Sequence, residues 1–173
     1  PAERIVNGLP KEHAAMKQTS DDFLKKLLAT FQVEAAERIK IVIDGLIRLE
    51  KSHNPAEQKD IVEALFRETH SLKGAARAVN NSEIERICQS LESIFSALKK
   101  GHTKQSPELL DLLHRAVDAF EHLLSTLGSA PSSEDLIKVN AITGALEKFL
   151  AGGVSEERRT PSAEPILPAP DVA

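Results

Sequence analysis

Apolar residues recur every three or four positions through most of this 173-residue chain, with polar residues between them. That spacing places the apolar side chains on one face of an α-helix, and no stretch has a strand-like pattern. The pattern predicts five amphipathic helices. Their expected core positions are Phe23, Leu27, Phe31, Ala35, Ile39, Val42, Leu46 and Leu49; Ile61, Leu65, Leu72, Ala76 and Val79; Ile84, Ile87, Cys88, Leu91, Phe95 and Leu98; Leu109, Leu113, Val117, Phe120, Leu124 and Leu127; and Leu136, Val139, Ile142, Leu146, Phe149 and Leu150.

Caps and breakers predict where these helices begin and end. We expect the first helix over residues 21–50 and the second over residues 56–79. The signals at the ends are the N-cap Ser20, the breaker Pro55, the capping box of Ser82 and Glu85 at the third helix, the first-turn Pro107 of the fourth, and Gly152 and Gly153 after the fifth.

Five such helices joined by short polar turns predict an all-α, up-and-down four-helix bundle with an additional fifth C-terminal helix. We expect the bundle over residues 19–151 and a flexible lead-in over residues 1–18. Residues 152–173 are rich in proline, which is typical of a semi-extended linker to a further module.

Composition excludes several classes of function. The net charge of −4 provides no basic stripe to neutralise phosphates, so we expect no nucleic-acid binding. No apolar run reaches the roughly 18 residues that span a bilayer, and no export signal is visible. The single cysteine, Cys88, excludes a disulfide framework and lies on a predicted core face. These features predict a cytoplasmic protein.

The second helix carries a histidine on the side opposite its apolar face. At about 100° per residue, His70 lies roughly 180° from Val79 and roughly 140° from Leu65, so we expect it to be exposed. An exposed glycine inside a helix costs about 1 kcal/mol relative to alanine, and Gly74 makes sense if a partner approaches closely there. The neighbours of His70 on this face are Phe66, Arg67, Lys73, Gly74 and, one turn further, Arg77.

These residue types suit a histidine that carries a phosphoryl group. A neutral imidazole is a nucleophile, and an attached phosphoryl group adds about −1.5 to −2 charges by analogy with other phosphorylated side chains. Lys73 is placed to offset that charge, with Arg77 at longer range. The second imidazole nitrogen needs an orienting partner. Glu92 on the third helix, beside Gln89, is the candidate.

The stretch His70-Ser71-Leu72-Lys73-Gly74-Ala75-Ala76, with Glu92 one helix later, resembles histidine phosphotransfer (HPt) domains, in particular the N-terminal domain of CheA-type chemotaxis kinases. The resemblance implies a helical bundle whose His70 takes a phosphoryl group at Nε2. ATP supplies the group through a separate histidine kinase catalytic domain, in cis or in trans, and an aspartate of a response regulator receiver domain accepts it. It also implies that Glu92 holds Nδ1, Lys73 assists and Gly74 leaves room.

One position departs from the family pattern. CheA-type proteins often have a second histidine where this chain has Gln89, which forms hydrogen bonds but does not titrate. The nucleotide-binding boxes of a kinase domain are absent from the sequence. We therefore expect a phosphoacceptor and carrier rather than an enzyme, with Arg67, Gly74 and Arg77 as candidates for partner contact.

The sequence is also compatible with a second hypothesis for the function. The same fold and exposed face would suit a helical docking module that binds response regulators without being phosphorylated. The remaining histidines show no metal-ligand spacing, so no metal site and no cofactor is predicted. No apolar stripe is left over beyond the predicted core, so we expect a monomer.

Overall fold

The computed structural model describes residues 9–157, with the backbone alone for residues 9–21 and 153–157. Its elements are α1 (Leu9–Lys51), α2 (Pro55–Ala78), α3 (Ser82–Lys99), α4 (Pro107–Ser125) and α5 (Ser133–Glu157). No strand occurs among residues 9–157. The predicted all-α fold is therefore confirmed.

Helices α1 to α4 form a closed four-helix bundle in chain order. α1 packs against α2 and α4, α3 packs against the same two helices from the other side, and α5 covers α3 and α4. The connections between the helices are short, as an up-and-down bundle requires. This arrangement places α2 and α3 side by side, and their shared outer groove holds His70, Lys73 and Glu92.

The predicted apolar stripes form the core of the bundle, with two exceptions. Phe23 is 69% exposed and Leu136 is 37% exposed, so both predictions were wrong. Phe23 lies on α1 before the first buried core residue of that helix, Phe31. In the first turn of α5, Asp135 takes the inward position that Leu136 was expected to occupy, because its carboxylate is bound by neighbouring polar groups.

Two predicted helix starts were also wrong. α1 begins at Leu9, so Ser20 lies inside the helix and does not cap it. α3 is capped by Asn81, whose backbone is extended and whose side chain accepts a hydrogen bond from the Ile84 amide at 2.9 Å. Ser82 is thus the first helical residue, so the predicted capping box does not form, and the Glu85 carboxylate binds Arg77.

The start of α4 was predicted correctly, and the end of α5 was not. Ser106 caps α4 and accepts a hydrogen bond from the Leu109 amide at 3.2 Å, with Pro107 at the first helical position. α5 continues through Gly152 and Gly153 to Glu157. Glycine lowers helix propensity, but it does not end a helix unless the backbone leaves the helical region.

The predicted lead-in and linker lie partly outside the described residues. α1 covers residues 9–18 of the lead-in, and α5 covers residues 152–157 of the linker. Residues 1–8 and 158–173 are outside the described part of the chain. Among the helices that are described, none is long and apolar enough to cross a membrane.

Candidate functional site

His70 lies on the outer face of α2, as its helical phase predicted. Thr69 and Leu72, in the middle of the same helix, are buried and fix the rotation of α2 on the bundle. The Thr69 hydroxyl is satisfied within the helix, since it donates to the Leu65 carbonyl at 2.9 Å. The His70 side chain is 63% exposed and therefore accessible to another protein.

Glu92 of α3 lies between His70 and Lys73 of α2. Its Oε1 is 3.0 Å from His70 Nδ1, and its Oε2 is 2.6 Å from Lys73 Nζ. The Glu92 side chain is only 13% exposed, whereas the imidazole that it contacts faces solvent. The structure thus brings His70, Lys73 and Glu92 from two helices together as one polar group of side chains at the α2–α3 groove.

The charge of Glu92 decides which nitrogen of the neutral imidazole carries the hydrogen. Burial by itself raises the pKa of this carboxyl, but hydrogen bonds and charge from Lys73 and His70 lower it, and the net pKa lies below the ordinary value. Glu92 is therefore a carboxylate at neutral pH and only accepts hydrogen bonds. Nδ1 of His70 must then carry the hydrogen, which leaves the lone pair on Nε2 at the outward side of the ring.

Lys73 faces inward more than the sequence suggested. Its side chain is 17% exposed, and besides the Glu92 carboxylate it binds Gln89, donating to Oε1 at 3.1 Å. Gln89 in turn donates from Nε2 to the Ser93 hydroxyl at 3.3 Å. The ammonium group thus holds the carboxylate and its neighbour in place, while its assistance to a phosphoryl group stays a prediction.

The imidazole of His70 stacks against the ring of Phe66, one turn earlier on α2. The rings of Phe66 and His70 are 6.2 Å apart between centroids and tilted by 18°, and Lys99 Nζ lies 5.6 Å from the Phe66 ring centre. Sequence reasoning placed Phe66 on this face but assigned it no role. The signal was its position four residues before His70, since residues at that spacing meet on a helix surface.

The remaining predicted site residues lie on the rim of this group. Arg67 is 3.8 Å from Glu63, and Arg77 donates to Glu85 at 2.7 Å. Both arginine side chains are largely exposed, so these pairs hold them only weakly. Gly74 is exposed, and apart from its chain neighbours and the backbone of its own helix no heavy atom lies within 4 Å of the place where a Cβ would stand. Their contact with a partner stays a prediction.

A cleft of about 400 Å³ adjoins the group on the α3 side and is lined by residues that include Phe66, Glu92, Lys100 and His102. Within the described residues, no three histidine, cysteine, aspartate or glutamate side chains are placed to hold a metal ion. The arrangement is therefore that of one outward nucleophilic nitrogen, one oriented carboxylate and a set of nearby cations.

Several known proteins are similar to this chain. It is 28% identical to the sensor histidine kinase CheAY of Helicobacter pylori over 130 residues, which cover 75% of this chain and 16% of that protein. It is 33% identical to the chemotaxis protein CheA of Cereibacter sphaeroides over 96 residues, 56% of this chain and 14% of that protein. With the gliding motility regulatory protein of Myxococcus xanthus the identity is 29% over 133 residues, 74% and 16% of the two chains.

The chain thus spans only 14% to 16% of the length of these three proteins. A family model described as the Hpt domain matches residues 26–130, which include His70, Lys73 and Glu92. Hpt domains are phosphotransfer modules and not kinase catalytic domains. Since the match covers more than half of the 173 residues, the chain belongs to the Hpt domain family.

Proposed function

We propose that this chain carries a phosphoryl group on His70 Nε2 between a histidine kinase catalytic domain and the receiver domain of a response regulator. The observation that carries the proposal is the 3.0 Å contact between His70 Nδ1 and Glu92 Oε1 on an imidazole that is 63% exposed. A carboxylate at Nδ1 fixes the tautomer in which Nε2 has a free lone pair. Exposure leaves that lone pair open to an incoming phosphorus atom.

In the first transfer, Nε2 attacks the γ-phosphorus of an ATP bound by the kinase domain. The bond between this phosphorus and the bridging oxygen breaks, ADP leaves, and an Nε2–P bond forms. The imidazole keeps its proton on Nδ1 and becomes cationic, and Glu92 stabilises this charge because it is ionised and within hydrogen-bond distance. Lys73 supports the step by holding Oε2 of the same carboxylate.

In the second transfer, a carboxylate oxygen of the receiver aspartate attacks the phosphorus. The Nε2–P bond breaks, its electrons return to the imidazole, and the ring becomes neutral with its proton still on Nδ1. Glu92 therefore acts in both directions without itself gaining or losing a proton. The exposed backbone at Gly74 leaves space for each partner in turn.

The same features indicate the signalling system and the partners of this chain. The chain is the phosphoacceptor part of a CheA-like chemotaxis system, acts in the cytoplasm where ATP is available, and relies on a catalytic domain outside the matched Hpt region. Arg67 and Arg77 flank His70 with positive charge and are the side chains that we expect a partner to contact. Their weak surface pairs with Glu63 and Glu85 exchange readily for partner groups.

The test is transfer of label from radioactive ATP by a CheA-type kinase core to this chain and to its His70→Gln variant. We expect an acid-labile, alkali-stable label on the wild type and none at this position in the variant. His102→Gln is the matched control, because His102 is also exposed and its ring has no hydrogen bond among the described residues. It should leave labelling unchanged.

Phosphoramidate provides a second donor that needs no protein recognition. If neither donor labels His70, the phosphotransfer proposal is wrong and the chain is a helical docking module for response regulators. Label at His70 from phosphoramidate but not from the kinase core would support the chemistry and overturn the choice of kinase. A receiver domain that then removes the label would establish the second transfer.

A further inference from the structure

A second histidine–carboxylate pair lies on the other side of the bundle. His122, in the last turn of α4, has Nε2 at 2.8 Å from Oδ1 of Asp135, in the first turn of α5. The His122 side chain is 52% exposed and that of Asp135 is 9% exposed. The pair repeats the arrangement at His70 and Glu92: an outward imidazole bound through one nitrogen to a carboxylate that is nearly buried.

Asp135 is held in place independently of the histidine. Its Oδ2 accepts hydrogen bonds from the Ser132 amide at 2.9 Å and from the Ser132 hydroxyl at 2.7 Å, and Oδ1 is left for His122. These bonds from Ser132, with a smaller contribution from His122, keep the pKa of Asp135 below its ordinary value. Asp135 is thus an ionised acceptor that requires a hydrogen on Nε2 of His122.

The free nitrogen of His122 is therefore the opposite one from that of His70. With Nε2 protonated and bound to Asp135, the lone pair of the neutral ring lies on Nδ1, which makes no hydrogen bond among the described residues. The pair lines a cleft of about 410 Å³ between α4 and α5, whose other charged lining residues are Arg115, Lys138 and Asp118. Both cations are 56% exposed, and among the described residues each forms an ion pair with an acidic residue four positions earlier on its own helix. Exposed pairs of this kind are weak, so the two cations can exchange their partners for an anion.

We propose that His122 is a second phosphoacceptor, which takes a phosphoryl group on Nδ1 from a small high-energy donor in the α4–α5 cleft. With phosphoramidate as the probe, Nδ1 attacks phosphorus, the P–N bond of the donor breaks, ammonia leaves and an Nδ1–P bond forms. The ring keeps its proton on Nε2, where Asp135 stabilises the resulting cation. Arg115 and Lys138 offset the charge of the new phosphoryl group.

The two sites have different products, which makes the proposal testable. His70 should give Nε2-phosphohistidine and His122 should give Nδ1-phosphohistidine. The experiment treats the full chain, the His70→Gln and His122→Gln variants and the double variant with phosphoramidate, locates each label by peptide mapping and identifies its isomer by phosphorus NMR. At positions 70 and 122, the wild type should carry both isomers, each single variant only the isomer of the histidine that it retains, and the double variant neither.

The rate of phosphorylation distinguishes an imidazole oriented by a carboxylate from one that is only exposed. We expect His122 to react at least about tenfold faster than His102, by analogy with metal-binding histidines, where loss of the orienting carboxylate typically costs ten- to hundredfold. His102 is the internal reference in the same sample. The Asp135→Asn variant should remove this advantage, with helical content followed by circular dichroism because Asp135 also binds the Ser132 amide at the start of α5.

The outcomes for His70 and His122 are independent. Label on His70 alone, or reaction of His122 no faster than that of His102, overturns the second site and leaves the proposed function intact. An Nε2 isomer at His122 also overturns it, because the Asp135 contact would then not fix the ring. Label on His122 alone supports the second site while it contradicts the role of His70.

Discussion

At His70, the ring of Phe66 stacks beside the imidazole whose Nδ1 contacts Glu92. We predict that Phe66→Leu slows phosphorylation of His70 by phosphoramidate by roughly two- to tenfold, since aromatic pairs contribute about 0.5–1.5 kcal/mol beyond area burial. The change keeps most of the apolar volume and removes the aromatic face. Site-resolved NMR of the phosphorylated histidine measures the rate.

Phe23→Leu is the matched control for this substitution. Phe23 is 69% exposed on α1 and away from the α2–α3 groove, so the same chemical change there should leave the rate unaltered. Equal rates for wild type and Phe66→Leu would show that Glu92 alone orients the ring. A slower rate in both variants would point to a general effect on the fold.

Glu92 links the site to the pH dependence of folding. Its pKa is below the ordinary value in the folded chain, despite burial that opposes this, because Lys73 and His70 bind its charged form. Its contribution to stability is therefore fully present above the ordinary glutamate pKa of about 4.3 and is lost as pH falls through the lowered pKa. We predict that the stability difference between wild type and Glu92→Gln is largest near neutral pH and shrinks in acid.

Urea unfolding from about pH 7 down to about pH 3 measures this difference. Glu37→Gln serves as the control, since Glu37 is exposed and makes no ion pair among the described residues, and its difference should stay small at every pH. A wild-type advantage that grows in acid would mean that the carboxylate is destabilising when ionised. The Lys73 contact would then fail to offset the burial of Glu92.

At the scale of the helices, two glycines form a matched pair. A Cβ at Gly45 of α1 would lie 2.7 Å from Cδ2 of Leu65 on α2, whereas a Cβ at Gly74 of α2 would meet nothing within 4 Å. Alanine raises helix propensity at either position by about 1 kcal/mol. At Gly45 this gain is outweighed by overpacking, which costs about 1–3 kcal/mol against the buried Leu65.

We therefore predict that Gly74→Ala raises the free energy of unfolding by about 1 kcal/mol and that Gly45→Ala lowers it by about 1 kcal/mol. Chemical denaturation with circular dichroism measures both. Stabilisation by both substitutions would show that Leu65 moves aside at little cost. If partners approach closely at Gly74, the same Gly74→Ala chain will accept phosphate normally from phosphoramidate and more slowly from a kinase core.

The helices were predictable from sequence where packing and local signals agree. The stripe of α2 from Ile61 to Val79 is buried as expected, because a continuous 3.6-residue period leaves one solution for its inner face. The start of α1 was not predictable, since a serine caps a helix only where the backbone leaves it, and helix continues through Ser20. Asn81 and Ser82 are both good caps, and only the turn geometry, with Asn80 at φ 55°, selects between them.

Some features of the candidate site were predictable from sequence, and others were not. The exposure of His70 followed from helical phase. The proximity of Glu92 followed from its place on the third helix beside Gln89 and from the resemblance to HPt domains. The inward position of Lys73 did not follow, because a flexible four-carbon side chain reaches either solvent or a neighbouring carboxylate, and the buried position of Glu92 decides this. The Asp135–His122 pair was missed because it depends on how α5 meets α4, which no local pattern encodes.

For the whole molecule, Cys88 reports on how cooperatively the bundle unfolds. It is the chain's single cysteine and is fully buried on α3, which packs against α2, α4 and α5. Burial, with some repulsion from Glu92, raises the pKa of its thiol to about 12. The native chain therefore holds almost no thiolate at neutral pH, and only the thiolate reacts with disulfide reagents.

Exposure of Cys88 requires α3 to separate from three neighbouring helices, which removes most of the core. We predict that its labelling by a disulfide reagent, measured in short pulses across a urea series, has the same midpoint as the loss of helical circular dichroism. Labelling that precedes the loss of helix would show that α3 and the Glu92 carboxylate separate from the bundle before the rest unfolds. The His70 site would then depend on a local opening equilibrium as well as on global stability, because Glu92 belongs to the helix that opens.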